Sequence, residues 1–141
     1  MESESDGVVV SAVLRAQLLQ LATIVSKPVG AMLFRRGDAC AGAFLICSGK
    51  VRLTLDVGPR TFLPRTFGAG CVVGLPAAVT GSNYSLSAEV IEEAELACVS
   101  QDALGDSLRQ DSIMCFEVMQ ILSREISDTR SAIKHSGRGH G

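Results

Sequence analysis

The chain has 141 residues, 47% of them hydrophobic and 20% charged, with a formal net charge of −2. This predicts one folded domain with a core and excludes a disordered chain. The slight acidity argues against the basic stripe of a DNA-binding surface, and no run of about 18 apolar residues offers a membrane span.

The opening residues Met1-Glu2-Ser3-Glu4-Ser5-Asp6 lack the basic-then-apolar order of a signal peptide, so a cytoplasmic location is expected. Residues 1–9 are expected to be flexible. From 10 to 26 apolar residues recur at helical spacing as Val10, Leu14, Leu18, Leu21 and Val25. This predicts an amphipathic helix ended by Lys27-Pro28.

After Pro28 short apolar runs alternate with turn signals. Strands are predicted at 29–34, closed by Arg36-Gly37-Asp38, and at 43–47, closed by Ser48-Gly49-Lys50. Residues 51–57 alternate Val51, Leu53, Leu55 and Val57 inward with Arg52, Thr54 and Asp56 outward. Gly58-Pro59 turns into 60–67, where Pro64 marks an edge or a bulge. Runs at 85–91 and 95–99 complete the series. Many short, evenly spaced strands predict a sandwich or barrel and not a doubly wound sheet.

At Ser100 the period changes. Ser100 reads as a helix cap with an acidic first turn, opening a short helix to about residue 109. Asp111 caps a longer helix carrying Ile113, Phe116, Val118, Met119, Leu122, Ile126, Thr129 and Ile133 mostly on one side. The tail 136–141 cannot continue it and is expected to be flexible. Cys40, Cys47, Cys71, Cys98 and Cys115 are scattered without a Cys-x-x-Cys pair, and both histidines, His135 and His140, lie in the tail. No zinc set is offered, and the thiols read as small buried hydrophobes in a reducing compartment.

The residues that carry most information are 68–90. Phe67-Gly68-Ala69-Gly70-Cys71-Val72-Val73-Gly74 and Leu86-Ser87-Ala88-Glu89-Val90 flank a loop with the glycines of a phosphate cradle. Taken alone, Gly68, Gly70 and Gly74 are equally turn glycines, and Ser87-Ala88 is equally small packing in a narrow barrel.

With Phe34-Arg35-Arg36-Gly37-Asp38, the strand Ala43-Phe44-Leu45-Ile46-Cys47 running into Ser48-Gly49-Lys50-Val51-Arg52-Leu53, and the exit Glu95-Leu96-Ala97-Cys98-Val99-Ser100, this stretch resembles the cyclic-nucleotide-binding domain of catabolite activator proteins, kinase regulatory subunits and gated channels. The resemblance covers about residues 10–135. It implies a mainly β fold, an antiparallel jelly-roll barrel over about 28–99 with one N-terminal helix and two C-terminal helices over about 101–135. It also implies a non-catalytic regulatory module in signal transduction or transcriptional regulation, with no cofactor beyond a possible cyclic nucleotide, cAMP or cGMP. The implied ligand-binding residues are Gly74, Leu75, Pro76, Ala77, Tyr84, Leu86, Ser87 and Ala88 on the loop, with Thr129 and Arg130 on the long helix.

Two positions depart from the family's pattern. Where it keeps a Glu for the ribose and an Arg for the phosphate, this chain has Leu75 and Leu86. The substitution removes a charge-assisted contact of about 1.5–3 kcal/mol, and Pro76 removes an N–H donor. Either the pocket is filled by side chain or it takes a less anionic ligand. The alternative functions are therefore a dimerising scaffold, a sensor of a non-nucleotide effector, and a cupin-like enzyme. The last needs histidines that the barrel lacks. The family's transcription activators carry a helix-turn-helix after the long helix. The present sequence stops a few residues past it, so direct DNA binding is not expected, and a homodimer through the long helix is.

Overall fold

The computed structural model describes residues 10–123, the side chain of Leu63 excepted. In chain order its elements are α1 (Ala12–Leu21), β1 (Thr23–Lys27), β2 (Met32–Phe34), β3 (Gly42–Val57), β4 (Arg60–Phe67), β5 (Val72–Val73), α2 (Leu75–Thr80), β6 (Ser87–Ser100) and α3 (Gln101–Gln110). A further helix, α4, begins at 112 and reaches 123, where the described residues end.

Two long antiparallel strands form the spine. β3 and β6 pair from Gly42↔Ser100 to Thr54↔Ser87. Each serves two short neighbours along its other edge. β6 takes β1 at 94–98 and β2 at 88–89. β3 takes β5 at 44–45 and β4 at 51–57. This is the antiparallel jelly-roll barrel that the alternating pattern predicts.

Ser48-Gly49-Lys50 does not end a strand. It lies within β3, where the register with β6 shifts repeatedly between Ile46 and Val51. Bulges of this kind bend a strand without breaking it. Gly49 has φ +88, and a Cβ there would stand 2.6 Å from Ala94 Cα. A side chain has no room at this crossing. The separate runs at 43–47 and 51–57 are thus one bent strand, and those at 85–91 and 95–99 are its partner. β4 carries Pro64 as an outer strand of the sheet, and residues 63 and 64 bulge between the pairs Leu53↔Arg65 and Leu55↔Phe62.

The N-terminal helix is shorter than its apolar spacing predicts. Ser11 caps it, accepting the Leu14 N–H at 3.1 Å, and it ends at Leu21. Thr23, Ile24 and Val25 are β-branched and leave the helix for β1, pairing with Cys98, Ala97 and Leu96. Val25 therefore belongs to the sheet. At the other end the caps stand as read: Ser100 Oγ accepts from Ala103 N at 3.1 Å, and Asp111 Oδ1 accepts from Ile113 N at 3.1 Å and Met114 N at 3.0 Å. The buried face of α4 is Met114, Val118, Ile121 and Leu122, whereas Ile113, Phe116 and Met119 are exposed. One apolar side is in fact two, because positions 114, 118, 121 and 122 follow the i, i+4, i+7, i+8 row that faces the barrel.

The core has two compartments. Leu14, Leu18, Leu45, Val99, Leu104 and Met114 join the helices to one half of the sheet. Phe34, Val51, Phe67, Tyr84, Val90 and Leu96 fill the inside of the barrel. The segment 74–88 connects the two.

Candidate functional site

The site is built on a sharp exit from the sheet. β5 pairs with Phe44 and Leu45, and Gly74 then turns left-handed with φ 79 and ψ 9. A Cβ at Gly74 would press within 3.2 Å of Tyr84 Cε1 and 3.3 Å of Phe34 Cε2. Only glycine combines this backbone conformation with this contact. Pro76 follows in the first turn of α2, where a missing N–H costs no intrahelical bond. It does take one donor from the turn. Gly81, also left-handed at φ 78, closes the helix by donating to Ala77 O at 2.8 Å.

The return leg is tied to the β2 turn. Tyr84 N donates to Asp38 O at 3.0 Å, Gly37 N donates to Tyr84 O at 2.8 Å, and Asn83 donates to Gly37 O at 3.0 Å. The Tyr84 ring stacks on Phe34, centroids 3.8 Å apart and planes 8° off parallel. Its hydroxyl donates to Gly42 O at 2.7 Å and accepts from the Ala41 and Gly42 N–H groups, each at 3.1 Å. Burial is the first cause that pushes this phenol above its ordinary pKa. The hydroxyl expected to meet a ligand is committed to the chain's own backbone.

The two leucines differ. Leu75 is 1% exposed and lies in the helix-side compartment. Leu86 is half-buried against the barrel interior. Ala77 and Ala88 are buried in the same interior cluster.

Ser87 and Ala88 separate. Ser87 pairs with Thr54 and Ala88 with Leu53, so their side chains take opposite faces of the sheet. Ala88 faces the barrel interior. The buried Ser87 hydroxyl accepts the Arg36 N–H at 2.9 Å, and the Asp56 carboxylate accepts from Thr61 at 2.9 Å. Nearby hydroxyls, Thr61 first, hold Asp56 below the usual carboxylate range. Arg36 Nη1 adds a bond to Asp56 O at 3.2 Å. The β3–β4 hairpin is thereby fastened to the start of β6. Thr129 and Arg130 lie outside the described residues.

Sequence reasoning missed two charged residues here. Asp56 reads as an outward residue of an alternating strand, and nothing local marks its hydroxyl partners. Arg65 stands opposite Leu53, and its guanidinium carbon lies 5.6 Å from the centroid of Phe67, a core residue of the barrel interior. The Pro64 bulge decides which face Arg65 takes, and proline was the available signal. Of the five thiols expected to be buried only Cys71 is; Cys40, Cys47, Cys98 and Cys115 are half-buried, and desolvation is the first cause that lifts Cys47 and Cys98 above the ordinary thiol range. Among the described residues no three His, Cys, Asp or Glu side chains gather into a possible metal set.

The family model for the cyclic nucleotide-binding domain matches residues 24–111. The chain belongs to the cyclic nucleotide-binding domain family. Solved structures agree on its fold. The catabolite activator protein of Thermus thermophilus superposes with a TM-score of 0.75 at 21% identity, over 90% of this chain and 60% of that one. The c-di-GMP-responsive global regulator CLP of Xanthomonas campestris gives 0.71 at 22% identity, over 86% and 62%. Oxidized CprK in complex with o-chlorophenolacetic acid gives 0.72 at 19% identity, over 92% and 53%. The chain thus spans less than two thirds of each of these proteins. No match was found among curated protein sequences. Within the cyclic nucleotide-binding domain the 74–88 segment is the turn, short helix and return that precede the last strand. Among the described residues no helix is long and apolar enough to cross a membrane.

Proposed function

We propose that this cyclic nucleotide-binding domain, residues 10–135, is a non-catalytic cytoplasmic sensor that binds a small effector between the 74–88 segment and the barrel interior. The observation that carries the reading is Gly74. Its left-handed turn, close against the Phe34–Tyr84 stack, shapes a segment in which any side chain at this position would be strained and tightly crowded. The proposed effector is a cyclic nucleotide, cAMP or cGMP. Its phosphate would lie against Leu86-Ser87-Ala88, with Gly74, Pro76 and Ala77 along one wall and Leu75 and Tyr84 supporting that wall from behind. Thr129 and Arg130 would reach it from the long helix.

The signal would pass through the hinge between α3 and α4. Asp111 caps α4 and also accepts from Gln17 of α1 at 2.8 Å, so one residue joins three helices. An effector that favours one placement of these helices shifts the population toward it. The exposed Ile113, Phe116 and Met119 of α4 would seat a second copy, giving a homodimer that acts on a downstream partner in signalling or transcription. Titration calorimetry with cAMP and cGMP tests the reading. Micromolar binding of either supports it, and no heat at millimolar concentrations of both overturns the nucleotide.

One observation favours a second effector class. Leu75, Leu86 and the aromatic pair make the segment apolar where the family's pattern is ionic. A neighbour of the same fold, CprK, is complexed with o-chlorophenolacetic acid. An aromatic carboxylate that raises the melting temperature while cyclic nucleotides do not would select this reading. No response to either class would leave the dimerising scaffold.

A further inference from the structure

We propose that α1 is a strut joining the approach to the 74–88 segment with the α3–α4 hinge, and that the Gln17–Asp111 hydrogen bond is the latch at its hinge end. The inference rests on the sensor reading above and adds a route by which the effector segment and the hinge respond to each other. Both ends of the strut are held by residues distant in sequence. At the front, Val10 N donates to Gly70 O at 3.0 Å, and Gly70 N donates to Ile46 O at 2.8 Å. Gly70 is left-handed at φ 90 and lies on the turn that leads through β5 to Gly74. At the rear, Gln17 Nε2 donates to Asp111 Oδ2 at 2.8 Å. About two helical turns, roughly 10 Å, separate the two ends.

The body between them is stiff. Ser11 caps the helix. Leu14 and Leu18 are buried in the compartment that also holds Val10, Leu75, Leu104 and Met114. One packed cluster therefore contains the strut, the start of α2 and the inner faces of α3 and α4. Close packing of this kind passes a displacement on instead of absorbing it.

The Asp111 carboxylate divides its contacts between two helices. Oδ1 accepts the Ile113 and Met114 N–H groups that start α4, whereas Oδ2 accepts from Gln17. Loss of Gln17 leaves the α4 cap in place. Asp111 N donates to Ser107 O and Cys115 N to Asp111 O, each at 3.0 Å. These local bonds travel with the hinge. Gln17 stands 94 positions away, so its bond breaks when the hinge shifts against α1. An amide held by a carboxylate is a charge-assisted contact. It biases the helices toward the placement seen here by about three- to tenfold.

Amide chemical shifts of the labelled whole chain test the strut in wild type, Gln17→Met, Gln17→Glu, and Gln17→Glu joined with Asp111→Asn. Gln17→Met should move the amides of 107–115 at the hinge and also those of 70–75 at the far end, and leave the β3–β4 hairpin, 56–61, in place. Gln17→Glu should move both sets further, since two carboxylates then oppose each other. The added Asp111→Asn should bring both sets back, because its carbonyl keeps the cap and its NH2 donates to the introduced carboxylate. Shifts confined to 13–21 and 107–115 are what a merely structural glutamine gives, and they overturn the proposal, as does a double variant that is not rescued. Calorimetry with cAMP and cGMP is the second readout. Gln17→Met should change the affinity of the nucleotide that wild type binds by about three- to tenfold, and unchanged affinity overturns the strut while leaving the sensor. If wild type binds neither nucleotide, the sensor reading fails, and the shifts at 70–75 still decide the strut.

Discussion

Tyr84 joins more of the site than any other side chain described above, through a stack on Phe34 and three hydroxyl bonds to residues 41 and 42. Tyr84→Phe keeps the stack, takes the acceptor from two N–H groups and leaves the Gly42 carbonyl only its weak Cys40 thiol contact. The expected cost is about 1–3 kcal/mol in chemical denaturation, with the fold retained. The two leucines should respond differently to charge. Leu75→Glu places a carboxylate at a position 1% exposed, and it should destabilise the protein by several kcal/mol, on the order of 3 or more, without creating a ribose contact. Leu86→Arg puts its charge at a half-buried edge. It should fold and tighten cyclic-nucleotide binding by about tenfold or more, read by calorimetry. Unchanged stability of Leu75→Glu would mean that its side chain does not pack as described.

The helices make their own test. Ser100→Ala removes the α3 cap and should cost about 1 kcal/mol in thermal or urea unfolding. Asp111 and Asp56 both have lowered pKa values, Asp111 first through the Met114 N–H and Asp56 first through Thr61. Their stabilisation is present above the unfolded carboxylate pKa near 4 and is lost as pH falls through the lower folded values. A melting temperature flat from pH 5 to about pH 3 would contradict both contacts. The caps were legible because Ser100 and Asp111 act on their own neighbours. The barrel was legible from the alternation that opens this run, where Val51 and Leu53 are buried and Arg52 is exposed; the inward reading fails further on, since Leu55 is half-buried and Val57, at the hairpin end, is 46% exposed. β1 was not legible, since Thr23 to Lys27 becomes a strand only by pairing with β6 far along the sequence. Gly49 was misleading for the same reason. It looks like a turn residue locally, and its left-handed backbone serves instead to let two long strands cross. Within the site Gly74 was legible as a glycine of a turn or a cradle, and its crowding by Phe34 and Tyr84 was not, because both lie far off in sequence or across the segment. The opposite faces of Ser87 and Ala88, and the pairing of Arg65 with Leu53 beyond the Pro64 bulge, depend on register that no local pattern states.

At the scale of the molecule, an apolar face of α4 and a barrel with a shaped segment are joined by one hinge. Phe116→Glu changes a residue that is 66% exposed and should leave the fold unaltered while splitting the proposed dimer, read as a halved mass by sedimentation. A wild type that is already monomeric at all concentrations would remove the dimer from this account. The central claim is that an effector seated by the 74–88 segment repositions the C-terminal helices. Amide chemical shifts of the labelled protein, followed while cAMP or cGMP is added, test it most directly. The account predicts shifts that saturate together at 70–90 and at the hinge, 100–111. No shifts at millimolar ligand, or shifts confined to residues outside both segments, would contradict it.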